Sequence, residues 1–251
     1  LISGLLCGCP MGAKTCGDFV REGKLSVQEG RFLMAICNHP SPMFLLGFVC
    51  PLFEAGMHPS RPLLSIYLPL LPLAALAKRI YFPGLPSPAS NGSRPQVQTA
   101  PALDTAILAA AEILCRIGGY LMLFSIVIVF LRRSPWLPAS LRLFLMGAME
   151  MTTGVREVSA SLPFPDSGTA AAAILAFGGI CGIFQTRAVT ASGWPEEKKS
   201  RTDDGGSSPK DREGRTEDKK IAGLSIRQYI LWKLLHSALA AVIFRLLGVL
   251  G

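Results

Sequence analysis

The feature that most constrains this chain is a series of apolar runs, each close to the length of a bilayer-spanning helix and most of them broken by glycine or proline. A hydrocarbon core of roughly 30 Å needs about 20 helical residues to cross it. Backbone broken inside that layer is tolerated only where protein or a water-filled cavity satisfies the freed polar groups. Residues 32–56 form one such run, cut by Asn38-His39-Pro40-Ser41-Pro42. Its two prolines remove helical donors and turn the residues before them away from helix. Residues 168–186 are Ala-rich and interrupted at Gly178-Gly179 and Gly182. Both read as discontinuous helices. Helices are expected over 62–79, ending at Lys78-Arg79, over 102–131, stopped by Arg132-Arg133, and over 224–250. The 102–131 helix is amphipathic in its first half, which suggests an interfacial or protein-packed start before it crosses.

Two further stretches are too short or too kinked for a plain span. Residues 1–16 carry Gly4, Gly8, Pro10 and Gly12, and residues 141–165 carry Glu150-Met151-Thr152-Thr153-Gly154 between two apolar arms. Each reads as a re-entrant hairpin. The order is then hairpin, broken helix, helix, helix, hairpin, broken helix, helix. Gly12 precedes Asn38 by 26 residues and Gly154 precedes Gly179 by 25, so a hairpin tip leads a helix break at matching distance in both halves. Three crossings separate the hairpins, which places them in the membrane from opposite faces. That is the inverted-repeat arrangement in which transporters build a midplane site. The expected fold class is therefore an all-α polytopic membrane protein.

Composition supports the membrane reading. Half of the 251 residues are hydrophobic and 17% are charged, against roughly 25% in a soluble protein. Residues 187–220 hold 17 of the 42 charges in a nearly neutral mixture, leaving 25 for the other 217 residues. The chain divides into a membrane core over 1–186, a charged linker over 187–223 expected to be disordered and solvated, and a last helix. The net charge of +8 comes from cations flanking apolar runs rather than from a basic and aromatic face, which argues against a nucleic-acid partner. Arg21, Lys24, Lys78, Arg79 and the linker fit a positive-inside orientation, with Arg132, Arg133 and Arg142 opposing it. The chain begins at Leu1 with no charged region ahead of an apolar core, which reads as a piece whose beginning lies elsewhere and as the lack of a signal peptide.

Helix ends at breaks in the membrane offer amide donors to anions and carbonyls to cations. Lys14, next to the Pro10 to Gly12 tip, could neutralise an acidic solute or simply snorkel to the interface. Glu150 follows a long apolar arm and is the most costly residue to place at membrane depth. It reads as a cation ligand, proton carrier or solute acceptor, or else as a cap held by Thr152 or Thr153. Asn38, Ser41 and Gln185 stand at the breaks and would bind ligand or satisfy loosened backbone. Glu112 and Arg116 are four apart and read as a local ion pair. His39 reads as a packing or hydrogen-bonding residue, with His58 and His236 weaker candidates still, and Glu54 has no evident partner. Seven cysteines without CxxC spacing read as reduced packing residues. No phosphate loop, nucleophile elbow, paired-His metal motif or dinucleotide fingerprint occurs, so no catalytic or metal residues are assigned and an enzyme is not expected.

Several of these pieces together resemble the YlbJ-type sporulation integral membrane proteins, which carry a nucleoside-recognition or Gate-type domain. The matching segments are Ser3-Gly4 with Gly8-Cys9-Pro10-Met11-Gly12-Ala13-Lys14, Cys37-Asn38-His39-Pro40-Ser41-Pro42-Met43-Phe44, Gly118-Gly119-Tyr120, Glu150-Met151-Thr152-Thr153-Gly154, and Phe177-Gly178-Gly179 through Gln185. They occur in order along nearly the whole chain. The resemblance implies a cytoplasmic or outer forespore membrane, and passage of dipicolinic acid from mother cell toward forespore. It also implies kinship with concentrative nucleoside transporters, in which two hairpins and two broken helices form the substrate site. By that analogy Pro10, Gly12, Lys14, Asn38, Ser41, Glu150, Thr152, Thr153 and Gln185 would bind substrate. The implied partners are the bilayer and a small anionic solute. No cofactor is implied, the coupling cation (Na+ or H+) is unassigned, and homo-oligomerisation is left open. A Gate-type scaffold or assembly factor and a nucleoside transporter are the alternatives. Two departures from the family are the missing N-terminal helices and the charged linker.

Overall fold

The computed structural model describes residues 2–53, 57–82, 103–191 and 226–250. All regular structure among them is helical. The first hairpin is α1 (Ile2–Cys7) and α2 (Met11–Arg21). Its return arm runs on to Arg21, five residues past the expected end, because the polar Lys14 and Asp18 pair along the helix at 2.6 Å. Next comes α3 (Val27–Cys37), which starts well before residue 32. Ser26 and Glu29 form a capping box that satisfies two orphan amides there. After the break lie α4 (Pro42–Phe44), a π turn (Leu45–Val49) and a 3-10 turn (Cys50–Leu52). Residues 54–56, Glu54 among them, lie outside the described residues.

The expected helix over 62–79 is two helices, α5 (Ser60–Tyr67) and α6 (Leu70–Tyr81), joined through Leu68-Pro69. Pro69 and Pro72 cannot donate amides to the preceding turn, which is why the run divides. The long α7 (Leu103–Arg132) matches its expected bounds within a residue. The second hairpin is α8 (Ala139–Met149) and α9 (Met151–Ser161), followed by α10 (Asp166–Phe177), α11 (Gly179–Ala191) and α12 (Ile226–Leu250). Gly178, in the left-handed region at φ +81°, makes the break between α10 and α11. Gly182 does not break the helix. α11 also continues to Ala191, into the start of the expected linker. The rest of the linker, and the Pro-rich stretch before α7, lie outside the described residues.

Five segments are long and apolar enough to cross a membrane: Val27–Leu52, Ser60–Tyr81, Ile107–Arg132, Asp166–Thr190 and Arg227–Val249. The chain has the build of an integral membrane protein. α7 is the outlying one. Only 11% of its most apolar window is buried, and Glu112 and Arg116 pair at 2.6 Å on its exposed side, as their spacing predicts. Its first half is thus mostly uncovered, with Ile113 the buried exception, so of the two expected starts, interfacial or protein-packed, the second does not hold.

Two apolar clusters tie the halves of the chain together. Val155 and Val158 of α9 share a core with Leu45 and Val49 beyond the first break, and with Ile66, Leu175 and Phe244. Ala13 and Cys16 of α2 share another with Ile183 and Val189 beyond the second break, and with Met34 and Cys37. Each hairpin's return arm therefore joins the far part of the other half's broken helix. The hairpins close through glycine. A Cβ on Gly154 would fall on the Gly147 backbone, and one on Gly12 on the Cys37 carbonyl. Gly154→Ala should therefore destabilise the protein by about 1–3 kcal/mol. Gly118→Ala, with nothing within 4 Å of its Cβ position, should change stability by less than about 1 kcal/mol. Thermal melts of the two variants in detergent check the contrast.

Candidate functional site

Each hairpin turn is fastened to the break in the helix that follows its return arm. In the first, the chain reverses at Gly8, with φ +73°. A Cβ there would lie 2.9 Å from the Ser41 amide, so only glycine permits the approach. The Cys9 amide then donates to the His39 carbonyl at 3.0 Å. In the second, the reversal is the single extended residue Glu150. Gly179 lies against it, its Cβ position 3.0 Å from the Met149 carbonyl and 3.2 Å from Glu150 Cα. Turn and break thus meet by backbone contact in both halves.

The two turns open on one cavity of about 700 Å³. Cys9, Pro10, Met11 and Lys14 line it from the first hairpin, and Glu150, Met151 and Thr152 from the second. Gly178, Cys181, Gly182 and Gln185 contribute from the second break and α11. The remaining wall is apolar and comes from α7, including Ile113, Ile117 and Leu121. This wall was not foreseen, because aliphatic residues in a spanning helix read equally as lipid-facing.

Of the nine residues expected to bind substrate, Pro10, Lys14, Glu150, Thr152 and Gln185 line the cavity, whereas Gly12, Asn38, Ser41 and Thr153 are not among its lining residues. The charged pair is already occupied. Lys14 Nζ lies 2.6 Å from Asp18 Oδ2. The Glu150 carboxylate, 3% exposed, accepts from the Thr152 and Thr153 amides at 2.8 Å each and from the Thr152 hydroxyl at 2.5 Å. It caps α9, complementing the positive end of that helix. α2 differs, since Pro10 is its N-cap and has no side-chain acceptor to offer. Gln185 is buried and donates to Cys181 Sγ at 3.2 Å.

The four others serve the architecture. Gly12 makes room for the Cys37 carbonyl, Ser41 Oγ caps α4 by accepting from the Phe44 amide at 3.2 Å, and Thr153 contributes its amide to Glu150. Asn38 is buried behind the cavity and donates to Thr186 Oγ1 at 2.8 Å and to the Tyr229 hydroxyl at 2.5 Å. His39 packs edge-on to Tyr67, ring centroids 5.0 Å apart, and that tyrosine donates to the Pro40 carbonyl at 2.8 Å. The cysteines among the described residues are free thiols, with Cys16 and Cys37 Sγ 3.4 Å apart in the core.

The residues that sequence reasoning does not single out, His236 being named there only as a weak candidate, lie on α12. Tyr229, Trp232, Lys233, His236, Ala240 and Phe244 form its buried face, spaced as one side of a helix requires. Lys233 Nζ donates to the Asn38 carbonyl at 2.8 Å. His236 Nε2 lies 2.8 Å from the Ile66 carbonyl, and because a carbonyl only accepts, this nitrogen carries the proton. Ser237 Oγ donates to the Ala173 carbonyl at 2.8 Å. The signal was present: a lysine and a histidine three apart in a run otherwise long and apolar enough to span a membrane.

Compared with protein-family models, curated proteins and solved structures, the chain has no match. Its site is therefore described from its own geometry. Glu150→Ala removes three acceptor contacts and should cost about 1–2 kcal/mol, the range for a lost helix cap. Glu150→Gln keeps a carboxamide oxygen in place and should lose less. Thermal melts of the two variants side by side give the ranking, and equal stability of Glu150→Ala and wild type would contradict the capping role.

Proposed function

We propose that this chain forms the solute-binding core of a membrane carrier for a small planar carboxylate, of which dipicolinate is the example implied by its resemblance to the YlbJ-type proteins. The observation that carries this reading is the shared cavity: two hairpin turns from different halves of the chain, with one helix break, border a single space of about 700 Å³. That volume falls within the range of about 300–1,000 Å³ typical of small-molecule sites. Cross-packing of each return arm with the other half's broken helix supports an inverted repeat moving about that space. The residues would divide the work. The apolar face of α7 contacts a planar ring, and Lys14, in the first turn of α2, supplies positive charge to a carboxylate after exchanging Asp18 for solute. Gln185 donates a further hydrogen bond. The membrane would be the cytoplasmic or outer forespore membrane.

A second reading, a Gate-type scaffold without transport, is favoured by one specific observation. Both charged groups at the cavity are satisfied internally, Lys14 by Asp18 and Glu150 by the start of α9. Titration of the full-length protein with dipicolinate and with a nucleoside, read by thermal melting, separates the readings. A ligand at about 100 times its Kd stabilises by about 2.7 kcal/mol, so the carrier reading predicts a melting temperature several degrees higher with dipicolinate. It also predicts that Lys14→Ala abolishes this rise and uptake into proteoliposomes. A rise with the nucleoside alone would change the solute, and no rise with either would leave the scaffold.

A further inference from the structure

Two interrupted helices end at one ammonium group. α3 stops at Asn38 and α10 at Gly178, and the C-terminus of each helix carries partial negative charge on carbonyls without an intrahelical donor. Lys233 Nζ donates to the Asn38 carbonyl at 2.8 Å. A Cβ built on Gly178 would lie 3.6 Å from Lys233 Cε and 3.7 Å from its Nζ, so the same side chain passes close to the second stop, while the carbonyl it donates to is that of Asn38. The side chain is 4% exposed. Among the described residues no carboxylate forms an ion pair with it.

An ammonium removed from water needs compensation, and the partner here is backbone. Helix C-terminal ends and unwound carbonyls are the surroundings that discontinuous membrane helices give to a bound monovalent cation. Gly178 also borders the cavity, so the charge lies just behind the cavity wall at the second break. We propose that Lys233 is the resident cation of this core. Its tethered ammonium fills a cation position formed by the ends of α3 and α10, and no free Na+ is taken up there. This inference stands on the geometry of the breaks and holds whether or not the cavity carries a solute.

Thermal melting of the full-length protein in detergent tests it without reference to transport. Exchange of Na+ for choline at constant ionic strength should leave the wild-type melting temperature unchanged. Lys233→Met, close in volume but uncharged, should lower it by about 5 °C, as expected for about 1–2 kcal/mol in a chain of this size. Lys233→Ala should be lowered further and regain at least half of its loss with ethylammonium, but not with tetramethylammonium, which has no N–H to donate. Stabilisation of the wild type by Na+ over choline would mean that a free ion occupies the position. Lys233→Met melting at or above wild type would mean that the positive charge is not used. Either result overturns the proposal, and the wild-type comparison decides even if a variant does not fold.

Discussion

A carbonyl freed by breaking a helix at membrane depth has no water to turn to, and the rest of this structure depends on how those carbonyls are served. One helix, α12, does much of the serving. Lys233 and His236 project from it onto the carbonyls of Asn38 and Ile66, at the first break and the end of α5, and Ser237 adds a bond to the Ala173 carbonyl inside the unbroken α10. Each of these segments belongs to a different span. Because an unpaired buried carbonyl costs about 1–3 kcal/mol, the donors on α12 act as fixed points that hold three spans in one register. Asp166 and Arg245 add an exposed ion pair between α10 and α12.

With the breaks held in place, the hairpins can be held too. Gly8 at Ser41 and Gly179 at Met149 bring each turn against a break with no side chain between them. The cavity is what remains between the two turns, α11 and α7. Its chemistry follows from asymmetry between the hairpins. Glu150 occupies the N-terminus of α9 with the chain's own carboxylate, whereas Pro10 leaves the start of α2 without a side-chain cap.

How much of this was legible depended on whether a residue's role is local. Gly178 and the Asn38 to Pro42 cluster announce breaks through the backbone preferences of glycine and proline, and the chain breaks at both, whereas the interruption expected at Gly182 does not occur. The Glu112 and Arg116 pair is equally local. Glu150 is visible as costly, and the structure bears out its capping reading: it caps α9 at the edge of the cavity. Ser41 and Asn38 leave two readings open in the sequence because a polar residue at a break looks the same whether it faces a solute or a neighbouring helix. Which it faces is decided by partners far along the chain, Thr186 and Tyr229 for Asn38. Lys233 is hidden for a different reason: the length and mean hydropathy of the last run mask a single lysine, even though its periodic spacing with Tyr229 and His236 marks a polar seam. The ends of α2 and α11 ran longer than expected because charged residues do not stop a helix when they pair along it or lie on its exposed side.

An experimental density map of the full-length protein in a lipid nanodisc tests the central claim most directly. The account predicts side-chain density for Lys233 continuous with the Asn38 carbonyl and close to Gly178, with both hairpin turns bordering one shared cavity. A map in which Lys233 reaches the headgroup layer, and the two breaks lie apart with separate surroundings, would contradict it.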